Sequence, residues 1–218
     1  MKIKPVILCG GAGTRLFPGF KNAPSKQFID FGGWSLFEKT LHRVKAKIFD
    51  DPIISTNKLY LNLVLKSLKN CKISKYKIIL EPSRKNTAAA IISSSLLNEI
   101  KLNQPILFLP SDHLITQKKT FNKILNTNLK NLNKNNIFIF GIKPKKLSTE
   151  YGYLLNKKIS NRINKVIDFV EKPNRVLASR LIKKNALWNS GIVLARKDSI
   201  ITNTKIHQKK LFNYCLKS

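Results

Sequence analysis

Short apolar runs set between helix-length amphipathic stretches limit most strongly how this chain can fold. Residues 5–8, 52–56, 76–80, 106–109 and 137–140 are strand-length and rich in Ile and Leu. Between the first two, Phe37, Leu41, Val44 and Ile48 recur at helical spacing and predict a core-facing stripe. Ser35 and Glu38 stand as N-cap and N3 of a capping box that starts this helix. Residues 58–68, 88–100 and 121–132 predict further helices, the second with Thr87 near its start. Strand–helix alternation of this kind predicts an α/β fold, an open and mostly parallel sheet with helices on both faces. In such sheets ligands lie beyond the carboxyl ends of the strands. Gly10, Glu81, Asp112 and the stretch after Phe140 are all expected at such ends.

From Lys143 onward strands follow one another with less helix between them. Residues 151–153, 166–170 and 187–194 read as strands, and Asn174 as the cap of a helix carrying Leu177 and Leu181. We take this part as the second half of the same domain, holding a second substrate. The Lys- and Asn-rich residues 130–136 read as a solvated helix end and loop.

The chain of 218 residues is long enough for one domain with a real core, and 43% hydrophobic residues exclude wholesale disorder. Nothing near the N-terminus reads as a signal peptide and no apolar run approaches a membrane span, so a cytoplasmic protein without membrane contact is expected. Cys9, Cys71 and Cys215, like His42, His113 and His207, are scattered too widely to suggest a disulfide framework or a zinc site. The formal net charge of +30 is spread along the whole chain and mixed with Asn and Ile. With no RNA-binding aromatic signature and no recognition helix, it reads as a solvated basic surface rather than a nucleic-acid face. A positive field also attracts anionic small substrates.

The first apolar run opens into Leu8-Cys-Gly-Gly-Ala-Gly-Thr-Arg-Leu16. Gly10, Gly11 and Gly13 let the backbone approach a ligand closely, and successive N–H groups in such a loop can form an anion-binding nest. Arg15 adds a planar guanidinium suited to phosphate oxygens and Lys26 a mobile point charge. A dinucleotide fingerprint would need a third glycine where Leu16 stands, and no Gly-Lys-Ser/Thr of a P-loop is present. Asp112, at the end of a buried run, is the carboxylate best placed to hold a divalent ion, its alternative being the cap of the following helix. His113 is assigned a structural hydrogen-bonding role.

Gly10 to Phe17 with Pro18, followed by Lys26-Gln27-Phe28, resembles the signature of sugar-phosphate nucleotidyltransferases, specifically mannose-1-phosphate guanylyltransferases. Residues 81–90 are similar to that family's nucleotide motif, and residues 110–113 to its metal-binding turn. Residues 148–153, 169–173 and 188–191 resemble the motifs around its sugar phosphate. The resemblance implies a Rossmann-like α/β/α sandwich. It further implies that Gly10, Gly11, Gly13, Thr14, Arg15, Glu81, Lys85, Asn86 and Thr87 bind nucleotide. Arg15, Lys26 and Asp112 would then be catalytic, with Asp112 holding Mg²⁺. Gly152, Glu171, Lys172 and Asn189 would bind mannose 1-phosphate. The implied reaction takes GTP and α-D-mannose 1-phosphate to GDP-mannose and pyrophosphate. Use of UTP or dTTP, or binding of nucleotide without turnover, are the alternatives.

Departures accompany the matches. Lys85 and Lys21 stand where the family usually has Arg, which keeps the charge but loses the bidentate fork. Ser25 and Ala89 replace prolines, and Phe17 a more usual Trp. Resembling enzymes continue well past residues 188–191 and supply a second metal-binding Asp there, a position Asp198 comes too soon to take. Residues 1–218 are therefore expected to be one nucleotidyltransferase domain without its C-terminal part, acting as a homo-oligomer or with a complementing chain.

Overall fold

Four parallel strands form the frame of the N-terminal region. In the computed structural model they are β1 (Lys4–Leu8), β2 (Ile53–Asn57), β3 (Lys77–Glu81) and β4 (Pro105–Pro110), in spatial order β3-β2-β1-β4. The structure describes residues 1–11, 25–30, 32–82, 87–160 and 163–217. Among these, eight strands and seven α-helices give the expected α/β fold. The chain divides into two compact units, residues 1–138 with 193–218, and residues 139–192.

In the first unit the helices are α1 (Leu36–Arg43), α2 (Leu61–Asn70), α3 (Thr87–Ser95), α4 (Lys118–Leu129), α6 (Lys197–His207) and α7 (Lys209–Lys217), while α5 (Arg175–Lys183) belongs to the second. Val6, Ile53, Ile106 and Phe108 are buried together with Ile100 and with Ile200 of α6. The alternate strand residues Ile7, Ile54, Leu107 and Leu109 are fully buried as well, so both sheet faces are covered. The capping box at α1 is formed: Glu38 N–H donates to Ser35 Oγ at 3.2 Å and Ser35 N–H to Glu38 Oε2 at 2.9 Å.

Three predicted helices end differently. Phe37, Leu41 and Val44 are buried, but α1 stops at Arg43 and Ile48 is half-buried. The chain turns there because Phe49 bridges to Ile3, with Ile3 N–H bonded to Ile48 O at 2.9 Å. Helix α3 ends at Ser95, not near residue 100, where Ser94 and Ser95 turn their hydroxyls back to Ala90 O and Ile91 O at 2.7 Å each. Helix α4 begins three residues earlier than expected, and residues 130–136 beyond it are a turn in which Asn136 Nδ2 bonds Asn131 O at 2.8 Å. Helices α6 and α7 were not anticipated at all.

The second unit contains most of β5 (Ile137–Ile142), all of β6 (Tyr153–Lys158) and β7 (Asn164–Val170), and the first part of β8 (Leu187–Arg196). Strand β6 pairs antiparallel with both β7 and β8. Tyr153, Ala178, Leu181 and Ala186 form its core. Asn174 caps α5 as expected, accepting from Leu177 N–H at 2.9 Å. Residues 193–196 of β8 lie in the first unit, antiparallel to β4.

Candidate nucleotide and sugar-phosphate sites

The parallel register brings the ends of four strands to one edge of the first unit. Leu8 is opposite Ser55 and Pro110, and Asn57 is opposite Glu81. Gly10, Glu81 and Asp112 all leave the sheet at this edge. The closest juxtaposition is between Gly10 and Glu81: a Cβ on Gly10 would stand 3.1 Å from Glu81 Oε2. Ser55 Oγ donates to Glu81 Oε1 at 2.6 Å and fixes the carboxylate beside the glycine. Glu81 also lines a mostly apolar cavity of about 510 Å³ with Ile79, Ala89, Ala90, Leu211 and Tyr214, and it is the one carboxylate there, beside Ser55 and Ser93. Thr87 begins α3. Gly13, Thr14, Arg15, Lys85 and Asn86 lie outside the described residues.

Lys26 and Asp112 meet in an ion pair. Lys26 opens a short 3₁₀ turn, Lys26–Phe28, and Asp112 follows β4. Asp112 does not cap the next helix, because α4 starts at Lys118 with Gln117 as its N-cap residue. That leaves its carboxylate for cations. His113 Nε2 lies 4.0 Å from Asp112 Oδ1. Burial holds the His113 imidazole below its ordinary pKa; the Arg43 and Lys26 charges act the same way, and Asp112 opposes them, which favours the neutral ring.

The turn that carries Asp112 is held from behind by α1. Thr40 Oγ1 donates to Ser111 O at 3.4 Å, and Arg43 Nη2 to His113 O at 2.9 Å. Arg43 is 2% exposed, and burial pushes its pKa down to about 10. Its other bond is to Thr40 Oγ1 at 3.2 Å, and among the described residues it has no carboxylate partner. Neither Thr40 nor Arg43 stood out in the sequence, where both look like ordinary helix residues.

In the second unit Gly152 is closely enclosed. A Cβ there would lie 2.7 Å from Phe169 Cζ and 2.8 Å from Glu171 Oε2, so close approach, not a strand bulge, explains the glycine. Gly152 O accepts from Asn189 N–H at 2.8 Å, and Asn189 Oδ1 accepts from Gly191 N–H at 3.0 Å. Gly152, Glu171 and Asn189 are thus assembled together. Lys172 pairs with Glu171 at 3.4 Å and adopts a left-handed φ of 41°, which side chains seldom take without a reason. The Tyr151 and Trp188 rings meet at a 49° tilt with centroids 4.8 Å apart. Asp198, by contrast, is held by Arg196, whose Nε reaches its Oδ1 at 3.0 Å.

Residues 4–217 match the nucleotidyl transferase family. The chain belongs to that family. Its nucleotidyl transferase relatives include the mannose-1-phosphate guanylyltransferase of Escherichia coli, 32% identical over 97% of this chain and 48% of that protein. A mannose-1-phosphate guanylyltransferase of Salmonella montevideo is 35% identical over 94% of this chain and 45% of its own length. The chain spans about half the length of the curated relatives it matches. Among solved structures, the mannose-6-phosphate isomerase of Helicobacter pylori superposes with a TM-score of 0.83 at 28% identity, over all of this chain and 79% of that one. The mannose-1-phosphate geranyltransferase of Thermus thermophilus shares the fold, with a TM-score of 0.85 at 23% identity over all of this chain and 64% of its own. No helix among the described residues is long and apolar enough to cross a membrane.

Proposed function

We propose that this nucleotidyl transferase moves GMP from GTP to α-D-mannose 1-phosphate, releasing pyrophosphate. A phosphate oxygen of the sugar phosphate attacks the α-phosphorus, a new P–O bond forms, and the α–β anhydride bond breaks. The observation that carries the reading is Glu81, fixed by Ser55 beside Gly10 and lining an apolar cavity. A carboxylate there accepts the two N–H donors on the guanine edge. A uracil or thymine edge places carbonyl oxygens on either side of its single donor, which a carboxylate repels. Names of relatives at 32–35% identity point the same way.

Lys26 and Arg15 are assigned to phosphate oxygens, and Gly152, Glu171, Lys172 and Asn189 to the sugar phosphate. Asp112 fits a magnesium site that is completed by substrate phosphates and water, since Mg²⁺ commonly takes only one or two protein carboxylates. The ion, when bound, neutralises charge building on the phosphates. Catalysis by the chain's own groups is then positioning and electrostatics: Lys26 leaves Asp112 for a phosphate, and the Arg43–His113 bond keeps the Asp112 turn in place. The buried thiols of Cys9 and Cys71 suit a cytoplasmic biosynthetic role, supplying an activated mannose for polysaccharide assembly.

Pyrophosphate release from Mg²⁺, GTP and mannose 1-phosphate tests the reading, with Asp112→Ala alongside and UTP and dTTP as competitors. Release that needs both substrates and disappears in the variant is expected. GTP binding without release would leave a binding protein, and equal use of UTP would remove the role given to Glu81.

A further inference from the structure

The turn leaving β1 is gripped by three side chains from outside it. Thr56 Oγ1 donates to Cys9 O at 3.2 Å, Asn57 Nδ2 to Gly10 O at 3.2 Å, and Gln27 Nε2 to Gly11 O at 3.0 Å. Thr56, Asn57 and Gln27 are 0%, 7% and 2% exposed. A buried polar side chain needs a partner, and these three find theirs in consecutive carbonyls of one short turn.

The consequence follows from peptide geometry. In a trans peptide the C=O of one residue is antiparallel to the N–H of the next, and no cis peptide occurs among the described residues. Holding the Cys9 and Gly10 carbonyls toward the end of β2 therefore turns the N–H groups of Gly10 and Gly11 the other way. The Cys9 N–H is taken by Ser55 O at 2.7 Å, whereas among the described residues those of Gly10 and Gly11 meet no acceptor. Two successive N–H groups, open and fixed in direction, are the start of an anion-binding nest.

We infer that Thr56, Asn57 and Gln27 are positioning residues that preset the Gly10 and Gly11 N–H groups toward the phosphate chain of a nucleoside triphosphate. The inference rests on the nucleotide reading given above and adds to it the groups that make the loop ready in advance. Donors fixed before the ligand arrives need no ordering when it binds. Gln27 follows Lys26 in one 3₁₀ turn, so that turn delivers both a cation and a clamp to the same loop.

The test uses Thr56→Val and Gln27→Met, which remove the donor and keep the approximate shape, with Thr56→Ser restoring the hydroxyl. Each folded protein is titrated calorimetrically with inorganic tripolyphosphate, GTP and guanosine, and its melting transition recorded. Losing one such hydrogen bond predicts about tenfold weaker binding of tripolyphosphate and GTP. Guanosine should change less than about twofold, and Thr56→Ser should stay near the parent. A folded Thr56→Val or Gln27→Met that binds tripolyphosphate like the parent overturns the positioning role and leaves the nucleotide reading standing. Equal losses for guanosine and GTP overturn it too, as does loss of the melting transition in both variants. A parent protein that binds neither GTP nor tripolyphosphate overturns both readings.

Discussion

Replacing Gly10 by Ala separates two reasons for a glycine at the head of this loop. Gly10 does not have positive φ, so backbone strain is not the issue. The new methyl would lie 3.1 Å from Glu81 Oε2, 3.2 Å from Oε1 and 3.3 Å from Cδ, and the carboxylate must retreat by a few tenths of an ångström. The 2.6 Å bond from Ser55 can lengthen by that amount and survive. Weakening it costs a fraction of the roughly 1 kcal/mol such a bond contributes. Against this, Gly→Ala narrows the unfolded ensemble and stabilises by about 0.4–1 kcal/mol. The two nearly cancel, so the urea midpoint should hold to within about 1 kcal/mol of unfolding free energy. Binding should not hold. The methyl occupies the space beside Glu81 where a guanine edge is proposed to enter, and GTP affinity measured by calorimetry should fall at least about tenfold, or about 1.4 kcal/mol. An alanine variant that binds GTP within about twofold of the parent would refute the close-approach argument.

Other outcomes follow from the same geometry. Gly152→Ala puts a methyl 2.7 Å from Phe169 Cζ and 2.8 Å from Glu171 Oε2. Overpacking there should cost about 1–2 kcal/mol in thermal unfolding and raise KM for the sugar phosphate more than it lowers kcat. An unchanged KM would detach Glu171 from the sugar phosphate. Ser35→Ala removes the α1 cap and should destabilise by about 1 kcal/mol in denaturant titration. Burial acts to raise the Glu38 pKa, but hydrogen bonds from Ser35 and Asn70 outweigh it and hold the carboxyl below its ordinary 4.5. A carboxyl depressed by folding stabilises above its unfolded pKa, and that contribution is lost as pH falls through the folded value. The stability gap between parent and Ser35→Ala should therefore narrow progressively below about pH 4.5. A gap that stays constant down to pH 2 would assign the cap's contribution elsewhere.

The sequence by itself determined whatever depends on neighbours a few residues apart. Strand and helix order up to residue 138, the Ser35–Glu38 box and the Asn174 cap were all legible, because each is decided within one helical turn or one pleat. The same local signals overshot where a distant contact intervened. The α1 stripe ran on to Ile48, but the bridge from Ile3 to Phe49 turned the chain first. Helix α6 lacked an amphipathic pattern strong enough to announce it, whereas that of α7 was present and overlooked; α6 is anchored by Lys197, whose Nζ donates to Leu97 O at 2.7 Å and Ile100 O at 2.9 Å across almost 100 residues.

For the candidate sites, composition and spacing supplied the chemistry-bearing residues, and only the tertiary structure decided their company. That Asp112 does not cap a helix was settled by where α4 begins, and its ion pair with Lys26 came only with the tertiary structure. The steric reason for a glycine at 152 became visible only where Phe169 and Glu171 close around it. Thr56 and Asn57 were indistinguishable from other polar residues, and Gln27 stood only as a member of the Lys26-Gln27-Phe28 signature, since a hydrogen bond to a backbone carbonyl leaves no pattern in the donor's own sequence. Their role exists only because parallel pairing sets the end of β2 beside the turn after β1, and register between strands that distant in sequence is fixed by burial of both faces rather than by any local code.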